Sequence, residues 1–122
     1  MNPLNVIIVE DSEDDLVLSL RALKKAGYNP SCTQVETAAG LKDALADDRW
    51  QLVISDHSMP AFSAPEALET LKESGRNLPF IIVSGTIDEN FPATITENGA
   101  DAYVDKRDLS NLGPAVKRAL EK

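Results

Sequence analysis

Two short runs, Leu4-Asn5-Val6-Ile7-Ile8-Val9 and Pro79-Phe80-Ile81-Ile82-Val83, are apolar almost without interruption. A strand with one wet face alternates. Runs like these suit strands buried on both faces, which belong to parallel sheets covered by helices. The intervening segments meet that demand. Leu16, Leu20 and Leu23 recur at helical spacing, with Gly27 as the stop. Ser31 to Glu36 alternates weakly, as a second and less buried strand, and Ala38, Leu41, Ala44 and Leu45 mark a second helix. Gln51 to Ser55 forms a third strand running into Asp56. Ser63-Ala64-Pro65-Glu66 is a capping-box pattern opening a third helix, with Leu68 and Leu71 inward and Gly75 at its end. A helix is expected near Phe91 to Asn98, although Pro92, Thr94 and Thr96 are poor residues for one. Ala102-Tyr103-Val104 supplies a fifth strand, and Leu112, Val116 and Leu120 stripe a last helix that starts near Gly113-Pro114.

Five strands, each followed by a helix, predict an α/β fold. The expected form is a flavodoxin-like (βα)5 three-layer sandwich with a parallel five-stranded sheet in the order 2-1-3-4-5. Residues 1–122 are read as one domain, because two cores in 122 residues would each bury too little surface. The 12 basic and 20 acidic residues give a net charge of −8. That balance argues against direct contact with nucleic acid, which needs clustered Lys and Arg, and against anionic membrane surfaces. No apolar run approaches the roughly 20 residues that cross a bilayer, and Met1 to Val9 lacks the features of a signal peptide. The single cysteine, Cys32, excludes an internal disulfide and fits a reducing compartment, so a cytoplasmic location is expected.

In open parallel sheets, ligands bind beyond the carboxyl ends of the strands. Strand one ends in Glu10-Asp11, strand three in Asp56, strand four in Ser84-Gly85-Thr86 and strand five in Asp105-Lys106. With strands one and three as neighbours, three carboxylates converge, and their mutual repulsion raises pKa values unless a cation intervenes. Mg²⁺ suits such a site, since it takes one or two carboxylates together with waters and phosphate oxygens. A carboxylate can attack phosphorus to form an aspartyl phosphate, while Lys106 and the Ser84 hydroxyl would stabilise the phosphoryl oxygens.

Five signatures in order carry a family resemblance: Val9-Glu10-Asp11, Asp56-His57-Ser58-Met59-Pro60, Ile81-Ile82-Val83-Ser84-Gly85, Gly99-Ala100 and Tyr103-Val104-Asp105-Lys106. Each is weak alone. Their spacing, 45 residues from Asp11 to Asp56 and 50 from Asp56 to Lys106, is specific. Over essentially its whole length the chain resembles the CheY-like receiver domains of bacterial response regulators, the phosphoacceptor modules of two-component and phosphorelay signalling. The resemblance implies that Asp56 is the phospho-acceptor. It also implies that Mg²⁺ is held by Asp11, Asp56 and the Ser58 backbone carbonyl, with Glu10 assisting through water. Ser84 and Tyr103 would be the pair that reorients on phosphorylation. The implied phosphodonor is a sensor histidine kinase or phosphotransfer protein. The implied recipient is a downstream protein or fused output domain. The domain would phosphorylate and dephosphorylate itself rather than turn over a substrate.

Two departures from the family pattern stand out. Arg107 follows Lys106 where most receivers have a proline joined by a cis bond. A cis bond to a non-proline residue costs about 2.5–4 kcal/mol, so the loop after strand five need not follow the family geometry. Lys106-Arg107-Asp108-Leu109 with Ser84-Gly85-Thr86-Ile87 is instead similar to a receiver subgroup linked to PAS and kinase-type signalling proteins. The second departure is the Pro- and Thr-bearing segment at 91–98, on the surface most receivers use for output.

Blander readings apply to several residues. Glu13, Asp14 and Asp15 are read as favourable charges in the first turn of helix one. His57 lines the entrance, Cys32 fills space in strand two, Trp50 covers the core after helix two, and Tyr103 can equally be a static aromatic. Other functions fit less well. A flavin carrier would need a hydroxyl- and Gly-rich loop where Glu10-Asp11-Ser12-Glu13 stands, and an aspartyl phosphatase would need an acid at Ser58. A pseudo-receiver that binds partners without phosphorylation is disfavoured because the pocket residues are all present.

Overall fold

The computed structural model describes residues 2–56, 64–84 and 100–121, and the structural statements that follow concern those residues. They form a five-stranded parallel sheet in the order β2-β1-β3-β4-β5. The strands are β1 (Asn2–Val9), β2 (Tyr28–Val35), β3 (Leu52–Asp56), β4 (Phe80–Ser84) and β5 (Ala102–Asp105). The helices are α1 (Glu13–Lys25), α2 (Ala38–Leu45), α3 (Ala64–Glu73) and α4 (Leu112–Leu120), with a 3₁₀ segment at Lys106–Asn111 before α4.

The side-chain alternation of each strand divides the core in two. Leu4, Val6, Ile8, Leu52, Ile54, Ile81, Val83 and Val104 face one side and pack with Leu23 of α1 and with Leu112, Val116 and Ala119 of α4. Ile7, Val9, Val53, Phe80 and Ile82 face the other side and pack with Leu41 and Leu45 of α2 and Leu68 and Leu71 of α3. Every residue of β3 and β4 is buried. This is the two-sided burial that their apolar runs demand.

Local chemistry sets the helix ends. Ser12 caps α1, its Oγ accepting from the Asp15 N–H at 3.4 Å, and Gly27 takes a φ of 97° after the helix. A left-handed turn at that position is where glycine is preferred. Thr37 caps α2 by accepting from the Gly40 N–H at 3.0 Å, and the Arg76 Nε donates to the Leu45 carbonyl at its other end. Trp50 is buried, its indole N–H donating to the Ala44 carbonyl at 2.7 Å.

Some boundaries differ from the sequence expectation. β2 starts at Tyr28 rather than Ser31, running through Pro30 opposite Leu4. An edge strand tolerates the missing N–H of proline. α4 starts at Leu112, and the 3₁₀ segment before it was not expected. The capping residue Ser63 and the helix expected near Phe91 to Asn98 lie outside the described residues.

Gly113 sits where α4 meets the end of α1. A Cβ there would come within 2.4 Å of the Ala26 Cβ. Ala26 has no longer side chain to swing away, so Gly113→Ala must push the helices apart. It should lower stability by about 1–3 kcal/mol in urea unfolding, with the slope unchanged.

Candidate functional site

Because the strands are parallel, their carboxyl ends share one edge of the sheet. Glu10 follows β1 and is fixed at both backbone groups. Its N–H donates to the Val35 carbonyl at 3.0 Å, and its carbonyl accepts from Gln34 Nε2 at 2.8 Å. The side chain is buried, with Oε2 accepting from the N–H groups of Asp11 at 3.2 Å and Ser12 at 3.4 Å. Asp56 ends β3 and is also buried.

Lys106 directly follows β5. Its Nζ lies 2.9 Å from Asp56 Oδ2, 3.1 Å from Glu10 Oε1 and 2.7 Å from Asp15 Oδ2. An ammonium has three N–H donors, and each has a carboxylate here. Burial pushes the Glu10 carboxyl up to about 8, helped by the adjacent Asp56 carboxylate and only partly offset by Lys106. Burial would pull the Lys106 ammonium down. The hydrogen bonds it donates to Asp15, Asp56 and Glu10 outweigh that and hold it above the usual lysine value.

One carboxylate oxygen from each of Glu10, Asp11 and Asp56 lies within 4.8 Å of the others. These are hard oxygen donors, two of the three residues are buried, and the buried Glu10 resists losing its proton. Such a donor set fits a divalent cation of the Mg²⁺ type, whose charge would relieve the repulsion among the acids.

The structure therefore brings Glu10, Asp11, Asp56 and Lys106 together. Ser84 is fully buried at the end of β4, beside Asp105 in register and one step beyond Val83, the partner of Asp56. Tyr103 is half-buried on the sheet face that packs against α2 and α3. Ser58 and His57 lie outside the described residues. Asp15 is the member that the sequence reading missed. It was assigned to the helix dipole, yet it makes the shortest of the three lysine contacts. Its place in the first turn of α1, four residues after Asp11, was the available signal.

Residues 6–117 match the family model of the response regulator receiver domain. The chain belongs to that family. As a receiver domain it is a signalling module of two-component systems and not a turnover enzyme of the ordinary kind. It is 29% identical over 108 residues to the polar-differentiation response regulator DivK of Brucella anthropi, covering 85% of each chain. It is also 29% identical over 123 residues to the sensor kinase CckA of Brucella abortus (strain 2308), where 96% of this chain spans only 12% of the kinase. Among solved structures, the receiver domain of the sensor histidine kinase PA1611 from Pseudomonas aeruginosa PAO1 superposes with a TM-score of 0.78 at 18% identity. That match covers 98% of this receiver domain and 99% of the other, which was solved with a magnesium ion coordinated in its active-site cleft. No helix among the described residues is long and apolar enough to cross a membrane.

The raised Glu10 pKa has a consequence for stability. Below pH 4.5 the carboxyl is protonated whether folded or unfolded, and between 4.5 and about 8 only the unfolded chain gives up the proton. The unfolded state then binds fewer protons, so the Glu10 contribution to stability falls as pH rises through that window. In metal-free buffer, Glu10→Gln should become more stable relative to wild type between pH 5 and 9 by on the order of 2–4 kcal/mol. Denaturant midpoints at several pH values measure this. A constant difference would contradict the assignment.

Proposed function

We propose that this receiver domain takes a phosphoryl group onto Asp56 in a Mg²⁺-dependent reaction and signals through the change in protein contacts that follows. The observation that carries the reading is the Lys106 ammonium held 2.9 Å from Oδ2 of the buried Asp56. A fixed cation there meets negative charge as it develops on the phosphoryl oxygens, without reorganisation during the reaction. Asp56 is the buried strand-end acid whose carboxylate borders both the ammonium and the cation site. Its oxygen would attack phosphorus, forming a new P–O bond as the donor departs with the electron pair of the bond that breaks.

Asp11 and Asp56 would hold the metal directly and Glu10 through water, with the Ser58 carbonyl as a further expected ligand. When bound, Mg²⁺ offsets the charge that the acids and the phosphoryl group bring together. Ser84, buried at the end of the neighbouring strand, would donate its hydroxyl to a phosphoryl oxygen, and Tyr103 would respond to that movement. The phosphodonor would be a sensor histidine kinase or phosphotransfer protein, and the recipient a downstream protein or fused output domain. The chain spans 12% of CckA and 85% of DivK, and receivers in both fused and compact settings are thus among its relatives.

Incubation with acetyl phosphate and Mg²⁺ should add one phosphoryl group to the wild type and none to Asp56→Asn, read by intact mass. Full labelling of Asp56→Asn, with secondary sites excluded by peptide mapping, would refute the acceptor assignment.

The metal arrangement is tested separately. Asp11→Asn removes a charged ligand and should weaken Mg²⁺ binding by about tenfold or more, whereas Glu10→Gln should weaken it less. Calorimetric titration distinguishes the two. Unchanged affinity in both variants would remove these residues from the metal site.

A further inference from the structure

The geometry points to Asp15 as a positioning residue for Lys106. Its contact with the lysine stands on distance, while its role in phosphoryl transfer rests on the reading of Asp56 above. Asp15 is the third residue of α1, where a capping-box acid ordinarily returns to the backbone N–H of the cap residue. Here the Ser12 N–H donates to Glu10 Oε2 at 3.4 Å instead. The Asp15 backbone N–H still serves the cap, donating to Ser12 Oγ. Its carboxylate reaches Lys106 Nζ at 2.7 Å. Glu13 and Asp14, on the same turn, are exposed to solvent.

The three partners of Lys106 are not equivalent. Glu10 and Asp56 belong to the group of acids suited to a cation, and Asp15 does not. Asp15 therefore holds the ammonium from the α1 side, through a charge that neither the metal nor the phosphoryl group would claim. Without it, a four-carbon side chain with free rotamers would settle between Glu10 and Asp56, in the space a divalent cation needs. Asp15 and Lys106 also line one recess of about 70 Å³, together with Leu18, Ser19 and Leu109. The Lys106 side chain is 17% exposed and that of Asp15 36%. When Asp56 takes up a phosphoryl group, the N–H directed at it can pass to a phosphoryl oxygen while Asp15 keeps the same ammonium in place.

Asp15→Asn, Asp14→Asn, Lys106→Met and the Asp15→Asn/Lys106→Met double variant test the role with two readouts. One is the rate of phosphorylation by acetyl phosphate at saturating Mg²⁺, followed over long incubation for the lysine variants. The other is lysine-selective NMR of the unphosphorylated protein, where a held Lys106 shows inequivalent Cε methylene protons. Asp15→Asn should slow phosphorylation by about five- to tenfold and collapse the inequivalence, and it should have no further effect on rate once Lys106 is methionine. Asp14→Asn, which removes the same charge one residue away, should change neither readout. Asp15→Asn behaving like Asp14→Asn in both, or slowing the Lys106→Met background equally, would overturn the role. A wild type that takes no phosphoryl group would defeat the reading of Asp56, and the NMR comparison would still decide whether Asp15 positions the lysine.

Discussion

One ammonium shared by three carboxylates, two of them buried, is the contact on which this end of the molecule depends. Burying Glu10 and Asp56 without it would leave charges desolvated and unpaired, and breaking a buried pair by removing one partner costs about 3–5 kcal/mol. With it, the balance is still negative, because one cation faces Glu10, Asp11, Asp15 and Asp56. The structure resolves part of that excess by holding a proton on Glu10 well above the usual carboxylate range. A site that keeps a proton on a buried acid beside another carboxylate is one that a divalent cation can enter with gain. The same excess repels an incoming phosphoryl anion, so metal and lysine address a single electrostatic conflict from two sides.

The conflict is tolerated because the fold places it at the sheet edge and keeps the interior apolar. Strands contribute alternate residues to two separate cores, and the buried acids Glu10 and Asp56 stand just beyond β1 and at the last residue of β3. Register then decides which polar groups meet. Asp56 is level with Val83, and Ser84 with Asp105, so Lys106 follows one step later and can reach back across β4 and β3. A slip of one residue in β5 would send that side chain to the opposite face. Such a slip is opposed by Val104, buried between the sheet and α4, and by Tyr103 on the other face.

What the sequence revealed follows from how local each signal is. Uninterrupted apolar runs identify doubly buried strands by themselves, and strand order then follows from the handedness of the crossovers, so the sheet was legible. Acids and a lysine directly after strands were legible for the same reason, since the strand end fixes their position. The start of β2 was not, because Tyr28-Asn29-Pro30 carries no strong strand pattern and pairs only by following β1 at the sheet edge. Asp15 was missed for a different reason. An acid in the first turn of a helix has a sufficient local explanation in the helix dipole, and only the tertiary approach of β5 to α1 gives it a second one. The 3₁₀ segment also has no period that a sequence reading could detect.

That segment explains how Lys106 keeps its position without the proline common in the family. No cis peptide bond occurs among the described residues, so the Lys106–Arg107 junction is trans. The chain turns directly from β5 into 3₁₀ geometry and departs from it at Asp108, where φ is −139° and ψ is 69°. The Asp108 carboxylate accepts from the Ser110 hydroxyl and from Asn111 Nδ2, which closes the turn on itself. Leu109 then packs against the α1/α4 side of the core, and Leu112 is fully buried in it. Lys106 is thus anchored by the ladder of β5 on one side and by Leu109 and the buried Leu112 on the other. Its ammonium is oriented by the acids of β1, β3 and α1. Backbone placement and side-chain orientation come from different parts of the fold, so Arg107 can replace proline at the junction while the lysine still reaches Asp56.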